Sequence, residues 1–240
     1  MGWFSEHVYD YCEQGHSPAF WSQPVNALTN IGYIVAALLI WLMLRRDRRA
    51  PFSIRFVVPL MIIIGIGSFL FHTVSDQAAE LADRIPIEVF VLSYLVTFLH
   101  WFYGLTWKRC LLGLGAFIVF TVAFAELVGN AIPNQSGQYV PVLLLLLGLT
   151  CALGASADRG RSVHWRSFAL ASVVFAGALL ARTVDETVCG SFPLGTHFIW
   201  HLLTAYLLYI VSRSLVLRWR AVSAVDARVT DQADDVGVSS

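Results

Sequence analysis

Seven long apolar runs constrain the fold of this chain more than any other feature of its sequence. They lie near residues 25–44, 56–75, 85–104, 108–128, 139–157, 165–184 and 196–217. Each is about 20 residues long, the length at which a helix crosses the hydrocarbon core of a bilayer. Lipid offers no hydrogen-bond partners, so a membrane-spanning backbone must be helical or form a closed barrel. Because the runs are continuous rather than alternating, they predict an all-α integral membrane protein with a seven-transmembrane helix bundle.

The distribution of charge supports this interpretation. Only 13% of the 240 residues are charged, whereas a soluble domain carries about 25%. We expect three parts: an extracytoplasmic N-terminal segment (1–24), the seven-transmembrane domain (25–217) and a cytoplasmic tail (218–240). The tail is small, polar and Asp-rich from about residue 221, a composition typical of disorder.

Basic residues predict the orientation of the bundle. Cytoplasmic loops carry an excess of Lys and Arg, and here most of these residues fall on one side of a seven-span topology. They are Arg45, Arg46, Arg48, Arg49, Arg55, Lys108, Arg109, Arg159, Arg161, Arg166, Arg213, Arg218 and Arg220. The C-terminus is therefore expected in the cytoplasm and the N-terminus outside, with Arg84 as the main exception.

Polar residues of three spans are predicted to lie at one depth, in the outer half of the membrane. Ser68 and His72 are four residues apart in the second span, and His197 and His201 are four apart in the seventh. Residues at this spacing share one face of a helix. Asp83 precedes Pro86, which suits the first turn of a helix, so Asp83 is expected at the start of the third span.

Three histidines at one depth are the donor set of a catalytic metal site. Three neutral imidazoles and an open fourth position are typical of zinc, and ionisable groups inside a membrane indicate function. The alternative is a metal-free hydrogen-bond network between helices. A proton or ion pathway is disfavoured, because the inner halves of the spans are almost wholly apolar.

Three residues outside this set are candidates for supporting roles. Cys12 and Cys189 both fall on the outer side, where an oxidising compartment permits a disulfide; two unpaired thiols are the alternative. Asp185 lies beside Arg182, where a local ion pair is the simpler interpretation. Asp185 is also a candidate to orient a zinc-bound histidine, as carboxylates near metal sites do.

Taken together, these residues resemble the alkaline ceramidases, which belong to a wider superfamily of seven-span hydrolases that includes the adiponectin receptors. The resemblance rests on Ser68-x3-His72, on Asp83 and on His197-x3-His201. The stretches "DYCE" (10–13) and "NALTN" (26–30) are similar to the family's N-terminal pattern, and Cys189 to its disulfide partner. The similarity extends from residue 10 to the seventh span.

This resemblance implies an intramembrane zinc amidase. The matching residues would be His72, His197 and His201 as zinc ligands, and Ser68 and Asp83 as catalytic groups. The expected substrate is a membrane lipid, namely ceramide or a ceramide-like N-acyl lipid, cleaved into a fatty acid and a sphingoid-type amine. We expect no nucleic-acid partner and no obligate protein partner. Hydrolysis of another acyl lipid, or a receptor with a structural zinc site, remain alternatives.

The family's N-terminal segment also binds calcium, which makes Ca²⁺ a second candidate cofactor. Asp10, the Tyr11 carbonyl and Glu13 match the family's ligands, and hard oxygen ligands suit this ion. Gln23, however, stands where the family tends to have Glu. The loss of a carboxylate weakens a calcium site.

Overall fold

A computed structural model describes residues 3–15, 17–128, 131–133 and 135–238 of the chain, and these are almost entirely helical or in turns. Ten α-helices follow one another: α1 Pro24–Thr29, α2 Ile31–Leu44, α3 Phe52–Arg55, α4 Val57–Val74, α5 Gln77–Tyr103, α6 Trp107–Val128, α7 Val140–Gly154, α8 Arg159–Ser162, α9 Trp165–Val188 and α10 His197–Val238. A single isolated bridge joins His7 and Asp76, and no strand occurs in the described residues.

These helices confirm the seven predicted crossings. Within the described parts of the chain, seven helical stretches are long and apolar enough to cross a membrane; they are Pro24–Leu44, Phe52–Val74, Gln77–Tyr103, Trp107–Val128, Ser136–Gly154, Arg159–Val188 and His197–Val225. This pattern indicates a multi-pass membrane protein. The chain boundaries given above for its three parts, and the sidedness of its termini, stay predictions.

The third span begins earlier than the sequence pattern predicts. α5 starts at Gln77 because the Asp76 side chain accepts a hydrogen bond from the Ala79 backbone N–H (2.8 Å) and caps the helix. Pro86 therefore lies inside α5, not in its first turn. Proline lacks an N–H, so the Ala82 carbonyl has no donor four residues later. That carbonyl faces Gly67 of α4, at a crossing so close that a side chain on Gly67 would overlap it.

The predicted tail is helical in the residues that the structure describes, and its boundary and sidedness stay predictions. α10 continues through the expected disordered segment as far as Val238. The segment has no proline and no glycine before Gly237, and extending an existing helix avoids the unfavourable nucleation step. The polar composition of the tail is therefore compatible with a helix that leaves the bundle.

α4 and α10 are held near each other because both pack on α2. α10 packs on α2 and α9, while α4 packs on α2 and α5. Their common core contains Tyr33, Met61, Phe98, Phe168 and Leu215, all fully buried. α6 is peripheral, with Cys110 as its one buried residue. The polar faces of α4 and α10 are thereby held in the interior, shielded from lipid.

The two ends of the bundle carry different contacts. At the end predicted to be cytoplasmic, Arg220 pairs with Asp47 (2.6 Å) and Arg218 with Asp158 (3.3 Å). At the opposite end, the N-terminal segment pairs through Val8 with the Ser75 carbonyl that follows α4 (2.8 Å). The candidate site described next lies at this second end.

Candidate active site

His72 of α4 meets His197 and His201 of α10 in the interior of the bundle. All three are buried, and one ring nitrogen from each lies within 4.8 Å of the others. The predicted convergence of these three side chains is therefore present in the fold. In the described residues this is the one cluster of three or more His, Cys, Asp or Glu side chains with metal-binding spacing.

Hydrogen bonds to Nδ1 hold two of these rings on the side opposite Nε2. His72 Nδ1 lies 2.7 Å from Gln23 Oε1, and His201 Nδ1 lies 3.0 Å from Thr29 Oγ1. Thr29 already donates its hydroxyl proton to backbone carbonyls of its own helix, so it accepts from His201. Each ring thus directs its Nε2 away from this partner.

The donor set fits a zinc ion. His72 Nε2 and His197 Nδ1 are buried without a hydrogen-bond partner, although a buried polar atom normally has one. Zinc accepts three imidazole nitrogens and keeps a fourth position open in catalytic sites. A bound metal would therefore satisfy atoms that the protein leaves unpaired.

Ser68 and Asp83 form a second polar group next to this cluster. Ser68 lies one turn before His72 on α4 and is buried, and its hydroxyl is hydrogen-bonded to the half-buried carboxylate of Asp83 on α5. The close crossing of Gly67 and Ala82, the residues immediately before them, brings the two helices together at this level. Three helices thus supply the five residues of the predicted catalytic and zinc-binding set.

Arg182 of α9 is a further buried group, although its position in the sequence suggests only an ion pair with Asp185. Its Nη1 donates to the Tyr11 hydroxyl (2.7 Å), and its guanidinium lies 5.4–5.6 Å from the ring centres of Tyr11, Tyr139 and Trp200. It also interacts electrostatically with Asp83. The signal available in the sequence was an arginine inside an apolar span.

Tyr11 connects the N-terminal segment to the histidines. Its ring stacks on His197 with centroids 3.8 Å apart. The disulfide between Cys12 and Cys189 is present, with a Cα–Cα distance of 5.2 Å. The N-terminal segment is therefore covalently tied across the cluster, between the end of α9 and the start of α10.

Asp185 acts on the backbone of His197 and not on its ring. Its carboxylate accepts hydrogen bonds from the backbone N–H groups of Cys12 (3.0 Å), Thr196 (2.5 Å) and His197 (2.8 Å). It thus caps α10 where the histidines begin. Gly195 has a φ of +69°, and a Cβ there would collide with the Asp185 carboxylate and with Cys12.

The expected calcium ligands are already engaged within the chain. Both Glu13 carboxylate oxygens accept backbone N–H groups at the start of α1, from Val25 (2.7 Å) and Asn26 (2.8 Å). The Tyr11 carbonyl accepts from Gln14 and Gly15. Burial raises the pKa of Asp10, and the Glu80 carboxylate raises it further, which disfavours the ionised form that calcium needs. The calcium site stays a prediction.

The sequence of the chain matches a known protein family. The family model described as Ceramidase matches residues 6–226. The chain belongs to the ceramidase family. No curated protein matches it.

The ceramidase match contains every residue of the site. It extends from the N-terminal segment through the seven crossings, so it includes the disulfide, the histidine cluster, Ser68 and Asp83. Membership of this family implies a hydrolase that acts on amide bonds and a lipid substrate. The roles of the individual residues stay proposals.

Proposed function

We propose that the chain is a zinc-dependent intramembrane amide hydrolase that cleaves ceramide, or a ceramide-like N-acyl lipid, into a fatty acid and a sphingoid-type amine. The observation that carries the proposal is the cluster of three buried histidines with two unpaired ring nitrogens. It lies beside a hydrogen-bonded Ser–Asp pair in a chain of the ceramidase family.

His72, His197 and His201 would hold the zinc ion. When bound, zinc supplies a Lewis acid that activates water and polarises an amide carbonyl. The three rings are held by different means: His72 by Gln23, His201 by Thr29, and His197 by the stack with Tyr11. Fixed ligands keep the reacting groups in a productive arrangement.

Asp83 is the group that would move the proton. Its carboxylate accepts a proton from the attacking water and returns it to the nitrogen of the leaving amine, so that the C–N bond breaks to give an acid and an amine. Ser68 donates to Asp83 in the resting site and can turn to donate to the oxygen of the carbonyl under attack. Arg182 supplies a buried positive charge that interacts with the Asp83 carboxylate.

A cavity between α5, α6 and α7 supports a lipid substrate. It has a volume of about 320 Å³ and is lined mainly by apolar side chains, among them Val91, Phe117 and Val142. Tyr139 lines it too, and the same ring contacts Arg182 and Trp200. We propose that a hydrocarbon chain of the substrate lies here while its amide lies at the histidines.

The expected orientation would place this site in the outer half of the membrane. The site lies at the end of the bundle that carries the N-terminal segment and the disulfide. The arginine-rich loops lie at the other end, and such loops are typically cytoplasmic.

Asp83→Asn tests this function, with Glu126→Gln on exposed α6 as the matched control. The detergent-purified wild type should contain about one zinc per chain and release fatty acid from ceramide. Asp83→Asn should keep the zinc and lose about 100- to 10,000-fold in rate, the usual contribution of an acid–base group. Zinc content is measured by elemental analysis, and hydrolysis by mass spectrometry of a panel of N-acyl lipids and acyl esters.

The other outcomes separate the alternatives. Full activity in Asp83→Asn would remove this carboxylate from the mechanism. Cleavage of other panel members but not ceramide would favour a hydrolase of another acyl lipid. A zinc-bearing wild type that cleaves none of them would favour the receptor, and a folded wild type without metal would refute zinc dependence.

A further inference from the structure

Gln23 lies at the centre of a buried polar network that joins the N-terminal segment to the histidine cluster. Its side chain is fully buried, directly before Pro24 at the start of α1. The amide contacts His72 Nδ1 (2.7 Å), Gln14 Oε1 (3.0 Å) and Ser75 Oγ (3.1 Å). This residue differs from the Glu expected of the family, and the fold gives it a task unrelated to calcium.

The structure places the carbonyl end of the amide toward His72. The Ser75 hydroxyl donates to the Phe71 carbonyl (3.2 Å), and its oxygen accepts from the Gln23 NH₂ group. The Gln23 carbonyl oxygen faces His72 and accepts from the Asn26 amide. A carbonyl oxygen can only accept, so His72 carries its proton on Nδ1.

With the proton on Nδ1, Nε2 of His72 is unprotonated and its lone pair is free to bind a metal. Nε2 is the ring nitrogen that is buried without a partner. A ring turned over would present the Cε1–H group to the cluster, and a ring protonated on Nε2 would present an N–H; neither could ligate a metal.

We propose that Gln23 is the positioning residue for His72: it fixes the tautomer and the ring orientation in which Nε2 faces the metal. This inference rests on the proposed zinc site, and it does not depend on the identity of the substrate. Gln23 thereby connects Gln14 of the N-terminal segment to a proposed zinc ligand. Partners of this kind typically change metal affinity by about 10- to 100-fold when removed.

Gln23→Met and Gln23→Glu form the test pair. Methionine has a similar length, and its thioether sulfur is only a weak hydrogen-bond acceptor for the His72 N–H. Glutamate keeps the acceptor, and its second oxygen meets groups that can supply protons. Ser75 can rotate its hydroxyl, and Gln14 has an unpaired buried Nε2 that a flip of its amide would direct toward the new carboxylate.

Gln14→Met is the matched control. It removes the Gln23–Gln14 hydrogen bond and leaves the contact with His72 in place. Any general loosening of the N-terminal segment should be shared by Gln14→Met and Gln23→Met. A change in the metal site should occur in Gln23→Met alone.

The measurement is zinc affinity by chelator competition on the full-length protein in detergent, with the visible spectrum of the Co²⁺-substituted protein as a second readout. We expect Gln23→Met to bind zinc about 10- to 100-fold more weakly and to have an altered Co²⁺ spectrum. Gln23→Glu should bind zinc at least as tightly as the wild type, because a carboxylate raises the basicity of the ligand. Gln14→Met should match the wild type in both readouts.

Three results would overturn the proposal: wild-type affinity in Gln23→Met, equal losses in Gln14→Met and Gln23→Met, or a wild type without zinc. If Gln23→Met does not fold, Gln23→Glu decides, since a loss of zinc in that variant contradicts an acceptor role. A protein that binds zinc in this pattern and cleaves no ceramide would retain the inference and refute the proposed substrate.

Discussion

Gly67→Ala should separate the two helices that carry Ser68 and Asp83. A Cβ at Gly67 would lie well inside van der Waals contact of the Ala82 carbonyl oxygen and carbon. Both are backbone atoms of α5, so no side-chain rotation can relieve the overlap. α4 and α5 must instead move apart at the position where the Ser68–Asp83 hydrogen bond forms.

The size of the effect follows from this geometry. Overpacking by one methyl group costs about 1–3 kcal/mol, and a misplacement of about 1 Å at a reacting group costs on the order of 100-fold in rate. Zinc binding should be less affected, because none of the three clustered histidines lies on α5. We therefore expect a loss of activity that exceeds the loss of zinc.

Gly115→Ala is the matched control for this experiment. Gly115 lies inside α6, and a Cβ there would meet nothing within 4 Å. Alanine is about 1 kcal/mol more favourable than glycine in a helix, so this variant should be as stable as the wild type or more stable. Thermal unfolding in detergent, zinc content and ceramide hydrolysis are measured for both. Equal activity and stability in the two variants would refute the close crossing of α4 and α5.

Two further predictions concern the start of α10 and the N-terminal segment. Asp185→Asn replaces one carboxylate oxygen by an NH₂ group, which must oppose either the backbone N–H of Cys12 or those of Thr196 and His197. It should cost on the order of 2 kcal/mol, as shown by thermal unfolding, and weaken zinc binding, as shown by metal competition; an unchanged zinc affinity would mean that the cap does not position His197. Cys12→Ser removes a disulfide that links residues 177 positions apart, and it should lower the free energy of unfolding by about 2–5 kcal/mol. A reductant should lower the melting temperature of the wild type but not that of this variant. Equal sensitivity to reductant in both proteins would contradict a stabilising disulfide.

Hydropathy and helical periodicity were sufficient to predict the crossings and the shared level of the three histidines along the bundle. Apolar length sets where a helix enters and leaves the membrane, so residues in different spans can be assigned to one level. The four-residue spacing of His197 and His201 then places both on one helix face. For the same reason, the meeting of His72 with these two residues could be predicted, and the structure brings the three together.

The boundaries of α5 and α10 depend on local helix-forming interactions that hydropathy does not report. The third span begins at Gln77 because Asp76 caps it, although a proline inside the run suggests a later start. The tail is helical to Val238 because α10 is already formed when it leaves the bundle. Composition alone predicts neither boundary, since the same polar residues suit a helix surface and a disordered segment.

Tertiary packing alone decided which side chains surround the histidines. The level of a residue along its helix follows from the apolar run that contains it. The rotation of that helix and its lateral neighbours depend on contacts with distant segments of the chain. Gln23 reaches His72, Tyr11 stacks on His197, and Asp185 binds the backbone of His197 only because α1, α9 and the N-terminal segment fold against α4 and α10. The sequence by itself determined the donor atoms and their common level along the bundle, and the packed bundle determined their orientation.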